Sequence, residues 1–404
     1  MPTLMLVPTG IGCAIGGYAG DALPSARLLA AASGCLITHP NVLNGASLYW
    51  SDPRIHYVEG YGLDRFAAGE WLLRPVRRQR IGLLLDAGIE PELAQRQIQV
   101  AEACRATLGL EIGPVLSTDV PLGVHLEHGP SGASWGSLER PDALLRAGER
   151  LRDAGATAIA VVARFPEDPQ SAELAAYRQG SGVDALAGAE AVISHLLVRH
   201  LQIPCAHAPA LGPLPLDPHL DPRAAAEELG YTFLACVLVG LSRAPDLVTD
   251  LVKPACCRQA DQVAADQLGA VVVPEGALGG EALLAAVARN VPVIAVANPS
   301  VLAVTPQALG LAEAVLPAAS YSEAAGAGPP RLLELAFTLN GEPLGVARLA
   351  RPRAGEVDAV DARAAEAGRL EELGLLPVES GKPSFGAPWG GLLRPRQASE
   401  LLGR

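Results

Sequence analysis

Short aliphatic runs, each ending in glycine, proline, asparagine, histidine, serine or an acid, constrain this chain more than any other feature. Residues 4–7 run into Pro8-Thr9-Gly10, residues 35–38 into His39-Pro40-Asn41, 55–58 into Glu59-Gly60 and 81–85 into Asp86. Further on, 158–163 run into Arg164-Phe165-Pro166 and 234–239 into Gly240-Leu241-Ser242-Arg243. Residues 270–273 end in Pro274-Glu275-Gly276 and 291–296 in Ala297-Asn298-Pro299. Apolar runs of this length, bounded by turn residues, read as strands buried on both faces. Helical patterns lie between them at 141–154, 185–200 and 280–289. Strand–helix alternation implies a parallel sheet covered by helices. The expected fold is α/β: mostly parallel Rossmann-like sheets in two halves facing a cleft, with a short irregular C-terminal extension.

Composition marks two boundaries. Prolines at 204, 209, 213, 215, 218 and 222 interrupt the pattern, and 324–330 is a linker of small residues, Pro and Gly. The expected parts are 1–203, an N-terminal half with a glycine-rich loop; 204–330, a Rossmann-like half; and 331–404, an extension. In the extension, Asn340-Gly341 suits a hairpin turn within 332–349, 363–373 looks helical, and a Gly/Pro-rich tail follows.

Charge and cysteine usage exclude several classes. A net charge of −12 and a pI near 5.2 argue against nucleic acid and anionic membranes as partners. No apolar run reaches the length of a membrane span, and the first residues lack a basic leader and cleavage site. The seven cysteines are scattered with no C-x-x-C, which fits a reduced cytoplasmic compartment without a disulfide framework or structural zinc. Half the residues are hydrophobic but only 4% aromatic, so the core is aliphatic.

The chemistry-bearing residues cluster at the ends of the expected strands, where open α/β sheets bind ligands. Thr9, Gly10, Gly12, Gly16 and Gly17 form a glycine-rich turn before a helix, suited to an anion, or else to close packing of strand on helix. The spacing matches neither the dinucleotide fingerprint nor a P-loop. His39 is the acid/base candidate, with Asn41 and Asn44 to orient substrate. His207, Arg164, Ser242 and Arg243 are further ligand contacts, the arginines suiting phosphate or carboxylate. Glu281 opens the helix of a strand–helix–strand unit over 270–296, similar to the nucleotide-sugar half-site of two-domain glycosyltransferases. His39, Glu59, Asp86 and His207 would all end strands, yet no ligand spacing fixes a metal, and none is assigned. Ser134 lacks the setting of a nucleophile elbow, Trp135 offers a stacking surface, and Asp184 suits a helix cap.

Several long motifs also resemble one family. They are Val7-Pro8-Thr9-Gly10-Ile11-Gly12, Thr38-His39-Pro40-Asn41-Val42-Leu43-Asn44-Gly45, Val58-Glu59-Gly60-Tyr61-Gly62 and Val161-Val162-Ala163-Arg164-Phe165-Pro166. Gly188-Ala189-Glu190-Ala191-Val192-Ile193-Ser194-His195 and Pro204-Cys205-Ala206-His207-Ala208-Pro209-Ala210 belong with them. Over roughly 4–345 the chain resembles an uncharacterised family, domain of unknown function 3326, found chiefly in cyanobacteria and in plastids. The resemblance implies a soluble protein of a phototroph and no particular reaction.

The expected function is an enzyme acting on a small anionic metabolite, such as a phosphate ester, nucleotide sugar or carboxylate. Two alternatives stand beside it: a non-catalytic metabolite-binding or assembly protein, and a glycosyltransferase-like enzyme. No cofactor is assigned, and self-association into a homo-oligomer is left open. On this reading His39→Ala abolishes turnover without unfolding the chain.

Overall fold

The structure, a computed structural model, describes residues 1–327 except 19, 44–51, 229–231 and 250–260, together with strands at 334–339 and 342–348. The chain divides into two units, Met1–Pro329 and Pro330–Arg404.

The first unit opens with β1 (Thr3–Met5), α1 (Leu23–Ser33), β2 (Leu36–Thr38), α2 (Pro40–Leu43), β3 (Ile55–Tyr57) and α3 (Gly60–Ala67). Next come β4 (Leu72–Arg74), β5 (Ile81–Leu85), α4 (Pro91–Leu108), β6 (Ile112–Ser117), β7 (Val124–His128) and β8 (Ser134–Leu138). The middle continues through α5 (Pro141–Asp153), β9 (Ala158–Arg164), α6 (Ala172–Arg178), α7 (Ala187–Leu201) and β10 (Cys205–Ala210). Then follow α8 (Pro222–Glu228), α9 (Thr232–Leu241), β11 (Asp246–Val248), β12 (Ala270–Pro274), α10 (Glu281–Ala288), β13 (Val293–Val296), β14 (Val315–Ala318) and α11 (Tyr321–Ala327). In the second unit β15 (Glu334–Leu339) and β16 (Glu342–Arg348) pair antiparallel as a hairpin. The Asn340-Gly341 turn, the expected helix at 363–373 and the tail lie outside the described residues.

Two parallel sheets form the first unit, as the strand–helix alternation requires. One has the order β14-β13-β12-β1-β2-β3, the other β10-β9-β5-β6. β1 pairs with β2 on one side and β12 on the other, so strands from the start and end of the unit share one sheet. The order reverses between β1 and β12, which makes their carboxyl ends the switch point of that sheet. The second sheet is drawn from the middle of the chain, and residues 203 and 204 fall immediately before its strand β10. β7–β8 and β4–β11 are separate antiparallel pairs.

One expected strand is a helix. Residues 234–239 lie inside α9. The segment is apolar on every side because every side is covered, and periodicity alone cannot separate such a helix from a buried strand. Its Leu234, Val237, Leu238 and Leu241 belong to a single core cluster. That cluster also holds Met5 and Leu36 of the first sheet, Val7 just after β1, and Leu83, Ala160, Ala206 and Ala208 of the second. The helix packs close: a Cβ on Gly240 would lie 2.5 Å from the Tyr57 ring of β3. A second cluster backs the other face of the first sheet, and a third packs α5 and α7 against the second sheet.

Because both sheets share the α9 layer, damage there reaches both. Leu238→Ala is expected to lower the unfolding free energy by about 2–5 kcal/mol while keeping one cooperative transition, read by urea denaturation followed by circular dichroism.

Candidate functional site

The glycine-rich loop sits at the switch point, at the carboxyl end of β1, and its own protein fills it. Val7 opens the loop, and the buried His39 receives the Val7 N–H on Nε2 at 3.0 Å. Burial pushes His39 down to about 4, so the ring is neutral at pH 7. Asn41 Nδ2 donates to the Val7 and Gly16 carbonyls at 2.9 and 3.0 Å. Three successive N–H groups of the loop are already accepted: Ala14 by the Pro299 carbonyl, Ile15 by Asn298 Oδ1 and Gly16 by Asp21 Oδ1. A carboxylate therefore stands where an anion would be cradled. Burial raises Asp21 to about 6.

The glycines are required here by close approach. Gly10 and Gly12 have positive φ, and a Cβ on Gly12 would lie 2.9 Å from the Gly182 carbonyl and from Val183. A Cβ on Gly16 would strike Val7, and one on Gly17 the Cys13 carbonyl. Thr9 lies half-buried in the turn. Asn44 lies outside the described residues.

A different constellation faces open space. His207, in the middle of β10, turns its ring towards α7. Ser194 Oγ is 2.5 Å from its Nδ1, and Glu190 Oε2 is 3.4 Å from its Nε2. Glu190 and Ser194 are four residues apart on α7, hence on one face of the helix. Ser194 is 1% exposed, whereas the His207 and Glu190 side chains retain 12% and 15%. Asp184 lies two residues before Leu186, the N-cap of α7, and accepts the Leu186 N–H at 2.9 Å in a local turn rather than serving as the cap itself. Burial and then the neighbouring Glu190 raise Asp184 to about 7.

His207, Glu190 and Asp184 line a cavity of about 910 Å³ beside β10. Its walls are largely apolar: Leu174 and Tyr177 of α6, Leu186, Pro209 and Leu211, and Phe233, Leu234 and Val237 of α9. Pro213, Pro215 and Pro218 close one side, which is where the proline-rich stretch goes. Among the described residues the lining includes carboxylates but no lysine or arginine. Aromatic stacking ties the cavity wall to the glycine loop. Tyr177 stacks on Tyr18 with centroids 4.3 Å apart, and Arg223 lies over Tyr18 while donating to the Ala14 carbonyl at 2.8 Å.

The remaining candidates are dispersed. Arg164 borders a smaller pocket of about 440 Å³ with Asp86, and its guanidinium is held by Glu90 and Glu167 at 2.9 and 3.0 Å. Asp86 accepts three backbone N–H groups, from Gly88, Leu122 and Arg164. Ser242 and Arg243 follow the C-terminus of α9 rather than a strand, and Ser242 Oγ donates to the Val239 carbonyl. A helix C-terminus carries partial negative charge, which favours a cation there over an anion. Glu281, in the first turn of α10, is ion-paired to Arg65. Glu59 caps α3 and pairs with His195 at 3.0 Å. Thus His39, Glu59, Asp86 and His207 each have separate partners, and the described residues contain no group of three or more His, Cys, Asp or Glu suited to a metal ion. Ser134 donates to the Asp184 carbonyl, and Trp135 is half exposed on the β7–β8 hairpin.

Of these residues the sequence singles out His207 and Asp184 but not Glu190 and Ser194. Their signal was present as an acid and a hydroxyl four apart on a helical pattern. It becomes readable only once α7 is known to pack on β10.

Comparison with known proteins agrees with the sequence motifs. A family model described as protein of unknown function (DUF3326) matches residues 2–328. A protein of Synechococcus sp. described as an uncharacterized lipoprotein is 59% identical over 312 residues, which cover 77% of this chain and 86% of that protein. No solved structure matches the chain.

Two outcomes follow from these surroundings. His39→Ala orphans the buried Val7 N–H, so its expected effect is a stability loss of about 1–3 kcal/mol or more, measured by urea unfolding. Asp184 keeps its proton to about pH 7 when folded, against 3.8 ordinarily. The folded state therefore holds the extra proton between those values, and the Asp184 contribution to stability declines as pH rises towards 7. Asp184→Asn retains the turn acceptor and removes that decline. The stability of this variant relative to the parent should grow between pH 4 and 7 and level off above, as read from urea midpoints across that range.

Proposed function

We propose for this chain, which belongs to the DUF3326 family, that it binds a small neutral or cationic molecule in the cavity beside β10 and acts on it by acid–base catalysis. The observation that carries this reading is a histidine held between a buried hydroxyl and a carboxylate, at the wall of a 910 Å³ apolar cavity. Such a cavity is within the size of small-molecule sites, and convergent polar groups in an apolar lining are their usual form. Ser194 donates its O–H to Nδ1 and fixes the ring as the Nε2–H tautomer, directed at Glu190. The Glu190 carboxylate, held by the His207 Nε2–H, takes one proton from the bound molecule and returns it to the same molecule. Ser194 is a positioning residue: its hydroxyl is buried, so it does not meet the substrate.

The anionic substrate expected from sequence is less well supported. The loop amides at Ala14, Ile15 and Gly16 are occupied by protein acceptors, and no lysine or arginine lines the cavity among the described residues. The nucleotide-sugar reading loses its contact, since Glu281 is paired with Arg65. The non-catalytic reading needs the cavity alone and is separated by turnover.

For location, Cys13, Cys35, Cys104 and Cys205 are free thiols, which supports the cytoplasm. The name of the Synechococcus relative points instead to a lipid anchor. An anchor on Cys13 of this chain would be in conflict with the fold, because Cys13 is buried just after β1, the strand that joins both halves of the first sheet.

The test is a thermal-shift screen of neutral and cationic apolar compounds, followed by turnover assays on the compounds that bind. A compound at a hundred times its Kd should add about 2.7 kcal/mol of stability. His207→Ala and Glu190→Gln should each lower turnover by roughly 10²–10⁴-fold with little change in the unfolding temperature. Full turnover in His207→Ala would remove the acid–base role, leaving the binding reading.

A further inference from the structure

The cavity has a second polar feature, which lies in the backbone. β10 is an edge strand of its sheet. Cys205 is in register with Ile159 of β9, and the Ile159 N–H is bonded to the Pro204 carbonyl. In a parallel ladder this phase turns the peptide groups of residues 204, 206, 208 and 210 towards β9 and those of 205, 207 and 209 away from it. Position 209 is a proline, which lacks an N–H and is tolerated on the open side of an edge. Among the described residues, the backbone N–H and C=O of His207 make no hydrogen bond.

The cavity adjoins this strand. Ala206 and Ala208 pack into the core cluster that contains α9, whereas Cys205 packs into the cluster that contains α7. The two helices therefore cover opposite faces of β10, as alternation along a strand requires. The lining includes Leu186 and Glu190 from the α7 side and Leu234 and Val237 from α9. The lining also includes His207 and Pro209 of the strand itself and residues 166–169 and 211–218, which follow β9 and β10, so the cavity meets β10 at its carboxyl-terminal half. It brings an unpaired donor and acceptor, on one residue, into apolar surroundings where such groups are normally satisfied.

Resting on the cavity reading above, we infer that the ligand is a short apolar peptide-like amide, neutral or cationic, that lies along β10 as an added strand and pairs with the His207 N–H and C=O. An amide supplies both complements at strand spacing, and β-augmentation is a recurring way to bind extended peptides. Charge selects against an acidic ligand, since the lining includes carboxylates and, among the described residues, no lysine or arginine. The same residue then offers its backbone for binding and its imidazole to hold the Glu190 carboxylate that takes the proton.

The test uses the full chain and a panel of acetylated di- and tripeptide amides built from Ala, Val, Leu and Phe. Calorimetry gives affinity, and hydrogen exchange of the His207 amide gives the contact. Binding should slow exchange at His207. N-methylation of the ligand's pairing amide, or its replacement by an ester, should weaken binding roughly tenfold or more, as for an orphaned buried carbonyl. A terminal succinyl group in place of the acetyl should also weaken it. Equal affinity of the N-methylated, ester and parent ligands, or His207 exchange unchanged in the bound state, would overturn the inference. So would a panel without binders. Compounds lacking an amide that still bind in the thermal-shift screen would leave the cavity reading intact while ending the amide assignment; no binding by either set would end both.

Discussion

A helix buried on all sides has to be surrounded by apolar surface, and α9 obtains that surface from both sheets at once. Its leucines and valine share one cluster with β1 and β2 of the first sheet and with β5, β9 and β10 of the second. Full burial of each such side chain stabilises by about 1.5–3 kcal/mol. The two sheets are thereby fixed against one layer. Leu234 and Val237 of this set, with Phe233 of the same helix, also reach the cavity wall, so the helix that joins the sheets also shapes the space beside β10.

That space contains groups that are costly to bury. A polar group without a partner in an apolar region costs on the order of kilocalories per mole. His207 meets this with Ser194 and Glu190, and Asp184 with the turn that leads into α7 and a proton retained to about pH 7. Among the described residues, no hydrogen bond reaches the His207 backbone. Residual cost of this kind concentrates at ligand sites. The glycine loop shows the opposite state: Val7, Ala14, Ile15 and Gly16 are matched by His39, Pro299, Asn298 and Asp21. A motif that reads as an anion cradle serves here to lock the switch point of the first sheet.

The sequence carried the α/β class, the parallel sheets, the strand–helix–strand unit of β12, α10 and β13, and the hairpin of β15 and β16. These follow from local pattern and length. Residues 234–239 form a helix but look like a strand, because an apolar run has no period to distinguish a buried helix from a strand. β6 to β8 have no strand signal in the sequence, since their half-exposed residues and the Gly113-Pro114 step make no continuous apolar run. His39 and Asn41 attracted attention through residue type, and their neighbours then proved to be backbone groups. Glu190 and Ser194 stood within a noted motif, but their meaning depends on a contact between α7 and β10 that spacing cannot supply.

The protonation of His207 is the most direct measure of how this cavity is arranged. Long-range proton–nitrogen correlation spectra of the free chain near pH 7, compared with Ser194→Ala, report which ring nitrogen carries the proton. The expected result is a single Nε2–H tautomer in the parent chain and a mixture of tautomers in the variant. A ring protonated on Nδ1, or a tautomer unaffected by loss of the Ser194 hydroxyl, would contradict the arrangement in which α7 fixes the His207 ring between Ser194 and Glu190.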